Sequence, residues 1–491
     1  MTKRRVRIIM LGVLLSLVLA SVEGTVVATA MPTIAAQLGG LSIYSWVFSV
    51  YMLASTTSGP LYGKISDVLG RKRVYLFAML LFLAGSLLCG QARTMQQLVL
   101  FRVVQGLGAG GVLPMAFTVI GELFSVEQRA RMQGLISGVW GVSSVVGPLI
   151  GGFLVDQISW QWVFYINLIP GLMACALVWF AWNKPAPSKH ERPRVDFAGA
   201  ALLTLGVLAL LLGLEYLGQP LGAILLASAA ALFAALVWVD RRVADPILPL
   251  HLFGDRLFVV TLIHGILVGW AMFGSLNYVP LFAQGVLQTS ATQAGLALTP
   301  QSLAWSVSSI IGAQFLLRVG YRSLTLVGMT LVTLGAFLMS RISPESTLLS
   351  VMIFTGLMGL GMGFAMPAFL IAVQSRVPRR DLGAATSAVQ FSRSIGGTIG
   401  VSVLGVTLTT RLAALLQRAG IDPASVVLER LIEGTGADTA ALDASVRGVL
   451  GNAIAFLFVI SFTAALLGLI SVLFAPRGTI RELEAEREPG D

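Results

Sequence analysis

Gly106-Leu107-Gly108-Ala109-Gly110-Gly111-Val112-Leu113-Pro114 returns later in the chain as Gly359-Leu360-Gly361-Met362-Gly363-Phe364-Ala365-Met366-Pro367. Both stretches read G-L-G-x-G-x-x-x-P, at an offset of 253 residues. Gly134, Gly147 and Gly151 likewise return as Gly383, Gly396 and Gly400, at an offset of 249. Glycine is common in membrane helices, so any single match says little. The shared order and spacing point to a duplication, with a connecting loop four residues shorter in the second copy.

The surrounding composition places this repeat in a bilayer. Of 491 residues, 56% are hydrophobic and 11% charged, with a mean hydropathy of +0.85. A soluble domain carries about 25% charged residues. Apolar runs of about 20 residues are spanning-helix candidates. Fourteen occur, near 8–32, 43–63, 74–92, 96–120, 133–156, 161–182, 198–217, 221–239, 257–282, 293–317, 324–341, 348–373, 383–410 and 449–475. The expected fold is an all-α integral membrane protein of two pseudo-symmetric six-helix bundles, 1–182 and 257–475. An inserted helix pair, 183–256, separates them, and a cytoplasmic tail, 476–491, follows. Paired halves with a site at their interface are the usual plan of secondary transporters.

The net charge of +10 follows the positive-inside rule when the N-terminus is placed in the cytoplasm. Both termini are then cytoplasmic, and the chain is a multi-pass cell-membrane protein. No basic cluster interleaved with aromatics suggests nucleic acid. Lys3, Arg4, Arg5 and Arg7 resemble a secretory signal, but the apolar run continues to Pro32, so an uncleaved first helix is expected. Cys89 and Cys175 sit in separate spans and form neither a disulfide framework nor a metal spacing.

Charges inside the spans are the functional candidates. Glu23 lies in the first span, where a carboxylate costs about 2.5–3.5 kcal/mol on insertion scales. Arg102 lies in the fourth. Their depths below the external helix ends, about 15 and 9 Å at 1.5 Å per residue, let long side chains meet. Arg393 lies near mid-depth beside Gln390, and its repeat equivalent is Ser144. It is placed to balance Glu23 across a cavity or to bind an anionic group. Gln105, Trp270, Asn277, Tyr278, Gln390 and Arg393 are the candidate substrate-cavity residues. His264 reads as a core histidine. Residues 411–448 are expected to form short amphipathic helices on the external face.

Between the second and third spans stands Gly63-Lys64-Ile65-Ser66-Asp67-Val68-Leu69-Gly70-Arg71-Lys72. Gly63 and Gly70 allow a close approach and a tight turn. Asp67 can accept from Arg71 or from a helix N-terminus, with Glu122 nearby, to form a conformational latch. The stretch resembles the G-x-x-x-D-x-x-G-R-K loop signature of the major facilitator superfamily, and Arg102-Val103-Val104-Gln105-Gly106 resembles its R-x-x-Q-G element. Gly134, Gly138, Gly141, Gly147, Pro148, Gly151 and Gly152 resemble its antiporter motif, with Ser143 in place of a central glycine. The residues from Glu23 to Pro32 and from Trp160 to Asn167 are similar to passages of the fourteen-helix drug:proton antiporter branch. Glu23 stands there for the usual Asp, and Gln161 for an Arg.

The resemblance implies a proton-coupled antiporter that exports lipophilic, cationic compounds by alternating access, acting as a monomer. Proton and substrate would expel one another through Glu23 and Arg102. No cofactor is implied; the proton gradient drives the cycle. An exporter of a lipid or of an endogenous amphiphilic metabolite is the alternative. A membrane enzyme or receptor is remote, because no metal, Ser–His or Cys/His constellation stands in the chain.

Overall fold

The computed structural model describes residues 3–39, 46–182, 196–243, 246, 250–289, 291–421 and 440–485. Its helices are α1 (Lys3–Leu38), α2 (Trp46–Leu69), α3 (Arg71–Gly90), α4 (Met95–Leu123), α5 (Val126–Gln157), α6 (Trp162–Tyr165), α7 (Leu168–Ala181), α8 (Phe197–Glu215) and α9 (Pro220–Asp240). They continue as α10 (Arg256–Gly285), α11 (Ala291–Leu296), α12 (Thr299–Val319), α13 (Tyr321–Met339), α14 (Leu348–Arg376), α15 (Leu382–Arg418), α16 (Ala440–Leu473) and α17 (Ile480–Ala485). No strand occurs among the described residues.

Each of the fourteen expected spans falls on one or two of these helices, and eleven are long and apolar enough to cross a membrane. The other three expected spans fall on α2, α5 and α8. The first two are diluted by Ser, Thr and Gly; the apolar helix of the third is short, Ala198–Leu214. The outer surface is apolar, with Phe180 77% and Ile169 71% exposed. Large apolar side chains turned outward suit hydrocarbon as solvent, because the backbone is satisfied within each helix.

The repeat seen in the sequence is a repeat of packing. α4 lies against α2 and α3, and α14 lies against α12 and α13. α1 packs on α5 and α7, as α10 packs on α15 and α16. Gly110 of α4 abuts the backbone of Ser55 on α2, and Gly363 of α14 abuts that of Trp305 on α12. Gly108 and Gly361 face α3 and α13 in the same way. Thr94 and Thr347, again 253 apart, cap α4 and α14 by accepting from Gln97 N and Ser350 N, each at 3.2 Å. Gly70, at φ 90°, and Gly320, at φ 79°, make the turns before α3 and α13 in a region that L side chains avoid.

The inserted pair is packed against both sets of helices. α9 packs on α8, and α8 packs on both α2 and α15, sealing the seam between the first and second sets of helices. Leu203, Val207 and Leu211 of α8 share an apolar cluster with Ile395 of α15 and Leu53 of α2. The expected short helices at 411–448 are not what forms at the stretch's ends. α15 continues to Arg418 and α16 begins at Ala440, because apolar positions at helical spacing extend the flanking helices; 422–439 lie outside the described residues. The flank 183–195 and the side chains of Pro148, Asp156 and Glu215 also lie outside them.

Candidate functional site

Glu23 and Arg102 meet. Arg102 Nη1 donates to Glu23 Oε1 at 2.6 Å, with both side chains 1% exposed or less. Gln105 Nε2 donates to the same oxygen at 2.9 Å, and Asn167 Nδ2 donates to Oε2 at 2.6 Å. Two helices besides α1 therefore address one carboxylate, α4 through Arg102 and Gln105 and α7 through its N-cap Asn167, and α3 supports them through Ser86, which accepts from Gln105 at 2.8 Å. Arg102 is held further by Val47 O, at 3.2 Å from Nε, by Gln105 Oε1 at 2.7 Å, and by the ring of Tyr51 at 4.0 Å. A buried ion pair is tolerable only when other partners support it, and here Arg102 Nε and Nη1 and both Glu23 oxygens are hydrogen-bonded.

One expectation changes at this cluster. Gln105, expected to line the substrate cavity, is fully buried against Glu23. Asn167, Ser86 and Tyr51 complete the site, although the sequence reading leaves them without a role. Asn167 closes the Trp160–Asn167 stretch quoted above, which was its one available signal. Ser143 donates to or accepts from Ser21 at 2.6 Å, so its replacement of glycine adds a buried link between α5 and α1 two residues from Glu23.

The second polar site is the charge cluster around Asp67 and Arg71, the residues expected to form a latch. Arg71 pairs with Asp67 at 3.2 Å and with Glu122, and donates to Arg379 O at 2.9 Å. Asp67 Oδ1 and Oδ2 accept from Gly383 N and Ala384 N at 3.0 and 2.9 Å. A carboxylate thus sits on the N-terminus of α15, where the helix dipole favours negative charge. Gly63 is required for the approach, since its Cβ would fall on Gly383 O and Ser387. Gln374, which donates to Phe117 O at 3.2 Å, and Arg129, 3.5 Å from Ser375 Oγ, close the same end. Lys72 departs from expectation. Its Nζ donates to Trp179 O and Trp182 O at 2.7 and 2.8 Å, capping α7 instead of joining the latch.

The glycines of α5 serve two partners. A Cβ at Gly134 would stand 2.6 Å from Ile310, and one at Gly141 2.8 Å from Ser306, both on α12. Gly147 and Gly151 face Thr25 and Val26 of α1. A Cβ at Gly138 or Gly152 would meet nothing within 4 Å.

The other candidates are dispersed. Tyr278 donates to Val401 O at 3.0 Å, and Trp270 packs on Gly400, both joining α10 to α15. Arg393 donates to Gln390 Oε1 and lies 3.8 Å from Met366 Sδ. His264 is buried edge-on to Phe369. Asn277 alone of the six expected cavity residues lines the cavity of about 360 Å³ between α2, α8, α10 and α15. No group of three or more His, Cys, Asp or Glu that could hold a metal ion occurs among the described residues.

The comparisons agree with this geometry. The model of the Major Facilitator Superfamily matches residues 13–401, and the chain belongs to that family of membrane transporters. Its function is transport rather than catalysis. It is 38% identical over 413 residues to the multidrug transporter protein MdtP of Bacillus subtilis (strain 168), covering 82% of this chain and 76% of that one. It is 36% identical over 411 residues to multidrug resistance protein 3 of the same organism, covering 82% and 80%. In fold it is similar to the proton:xylose symporter XylE, with a TM-score of 0.64 at 15% identity over 99% of this chain and 100% of that one. The human organic anion transporter MFSD10 gives 0.62 at 14% identity, over 95% and 100%.

Proposed function

We propose that this protein is a proton-coupled antiporter that exports lipophilic compounds across the cell membrane by alternating access, as a monomer with both termini in the cytoplasm. The observation that carries the reading is the burial of Glu23 with Arg102, Gln105 and Asn167 inside an apolar helix bundle. A proton arriving at Glu23 removes the charge that Arg102 answers. Arg102 then retains Val47 O, Gln105 Oε1 and Tyr51, so the bundle survives the loss. The names of the two Bacillus relatives support drugs as cargo.

The two sets of helices, 1–182 and 257–475, are taken as halves that rock about the α5–α12 and α2–α15 contacts. The docked latch corresponds to a state closed at the cytoplasmic end. Cationic cargo loses its expected anchor in this state, because Glu23 is already saturated by three donors.

The test is efflux of a lipophilic dye from proteoliposomes under an imposed pH gradient, comparing the native protein with Glu23→Gln. The variant mimics the protonated carboxyl and should fold yet lose gradient-driven efflux. Undiminished efflux would remove Glu23 as the coupling group.

A further inference from the structure

The inserted helix α8 reaches a place that no transport step above has used. Leu211 and Leu212 of α8 line the cavity of about 360 Å³, together with Trp46, Met52 and Phe273. Its polar lining is hydroxyl and amide: Ser49 and Thr56 from α2, Asn277 from α10, and Ser394, Thr398 and Ser402 from α15. Among the described residues no ionisable side chain lines it, and none of α1, α4 or α14 contributes. The cavity opens where α2 and α15 diverge. They touch at Gly63 and Gly383, and part along Trp46–Thr56 and 394–402.

Resting on the antiport reading, we propose that this cavity is a substrate site for an uncharged lipophilic molecule carrying one or two hydrogen-bonding groups, and that α8 forms part of its wall. The volume lies within the range of small-molecule pockets, which are mostly apolar with a few placed polar groups. An ion brought here would leave water without a countercharge, at a cost of several kcal/mol. Ser, Thr and Asn side chains can instead satisfy a carbonyl, ether or hydroxyl.

The site is separate from Glu23 but shares a helix with it. Val47 and Tyr51 on one face of α2 hold Arg102, whereas Ser49, Met52, Leu53 and Thr56 on another face line the cavity. The far end of the same helix carries Gly63 and Asp67 of the latch. An occupant touching α2, α8, α10 and α15 favours whichever arrangement keeps those walls together, and α2 carries that preference to Arg102. Differential contact of this kind is what shifts a conformational equilibrium.

The experiment measures saturable binding of N-phenyl-1-naphthylamine, an uncharged probe, to the protein in nanodiscs, by energy transfer from tryptophan. Leu212→Trp fills the cavity from the inserted helix and should weaken binding about tenfold or more. Leu205→Trp, on the exposed side of α8, should leave it unchanged. Ser402→Leu fills the cavity from α15 and replaces Leu212→Trp if that variant does not fold. Tetraphenylphosphonium, a cation, should not displace the probe. Unaltered binding in a folded cavity variant, non-saturable partition into lipid only, or efficient displacement by tetraphenylphosphonium would overturn the proposal. Efflux is measured separately. Leu212-sensitive binding without gradient-driven efflux keeps the cavity site and sinks the antiport reading; gradient-driven efflux with Leu212-insensitive binding does the reverse.

Discussion

At the scale of single residues, one carboxylate organises four helices. Glu23 accepts from Arg102, Gln105 and Asn167, and these donors are not interchangeable. Arg102→Ala leaves a buried carboxylate with amide donors alone. It should cost about 3–5 kcal/mol, the usual effect of removing one partner of a buried pair. Asn167→Ala removes one hydrogen bond to a charged group and should cost about 1.5–3 kcal/mol. Thermal unfolding in detergent orders the two variants, and an equal or reversed order would contradict the geometry. The pair itself was legible from depth along two helices. Asn167 and Ser86 were not, because each lies far from Glu23 in sequence and carries no charge to betray it.

At the scale of elements, α2 is the shared part. It holds Arg102 through Val47 and Tyr51, borders the cavity, and docks on α15 through Gly63 and Asp67. The docking depends on backbone contact, since a Cβ at Gly383 would stand 2.5 Å from Gly63 O. Gly383→Val should therefore pry the latch end apart. Spin labels at Lys64 and Arg380 should report a longer distance by double electron–electron resonance, with slower transport. An unchanged distance distribution would mean that the α2–α15 approach is not set by these glycines. The corresponding turn in the second copy has Gly320 but Leu317 where Asp67 stands, so the charge cluster is not repeated there.

At the scale of the whole molecule, the charge cluster joins helices across more than three hundred residues of chain, from Asp67 and Arg71 to Gly383, Ala384 and Arg379. Asp67→Asn should impair transport with little loss of folded protein, because most of the latch end remains packed. Normal rates would mean that the cluster packs this end without controlling transport. The orientation is tested by single cysteines. Those introduced at 64–73 and 375–381 should react with a membrane-impermeant maleimide only from the cytoplasmic side, and those at 411–421 only from outside. Cys89 and Cys175 are buried and should contribute little background. Labelling of 411–421 from the cytoplasm would invert the assignment.

Local pattern was enough for the helices, their apolar lengths, the twofold repeat and the costly charges at Glu23, Arg102, Asp67 and Arg71. These follow from composition and period, which are properties of short stretches. Lys72 and Gln105 meet neighbours other than those expected, since a side chain's residue type does not say which neighbour it will meet. The seat of α8 on the α2–α15 seam, and the cavity that it helps to line, arise where helices distant in sequence diverge. Such a space has no residues of its own to read, because it is bounded by side chains that only the packing of α2, α8, α10 and α15 brings together.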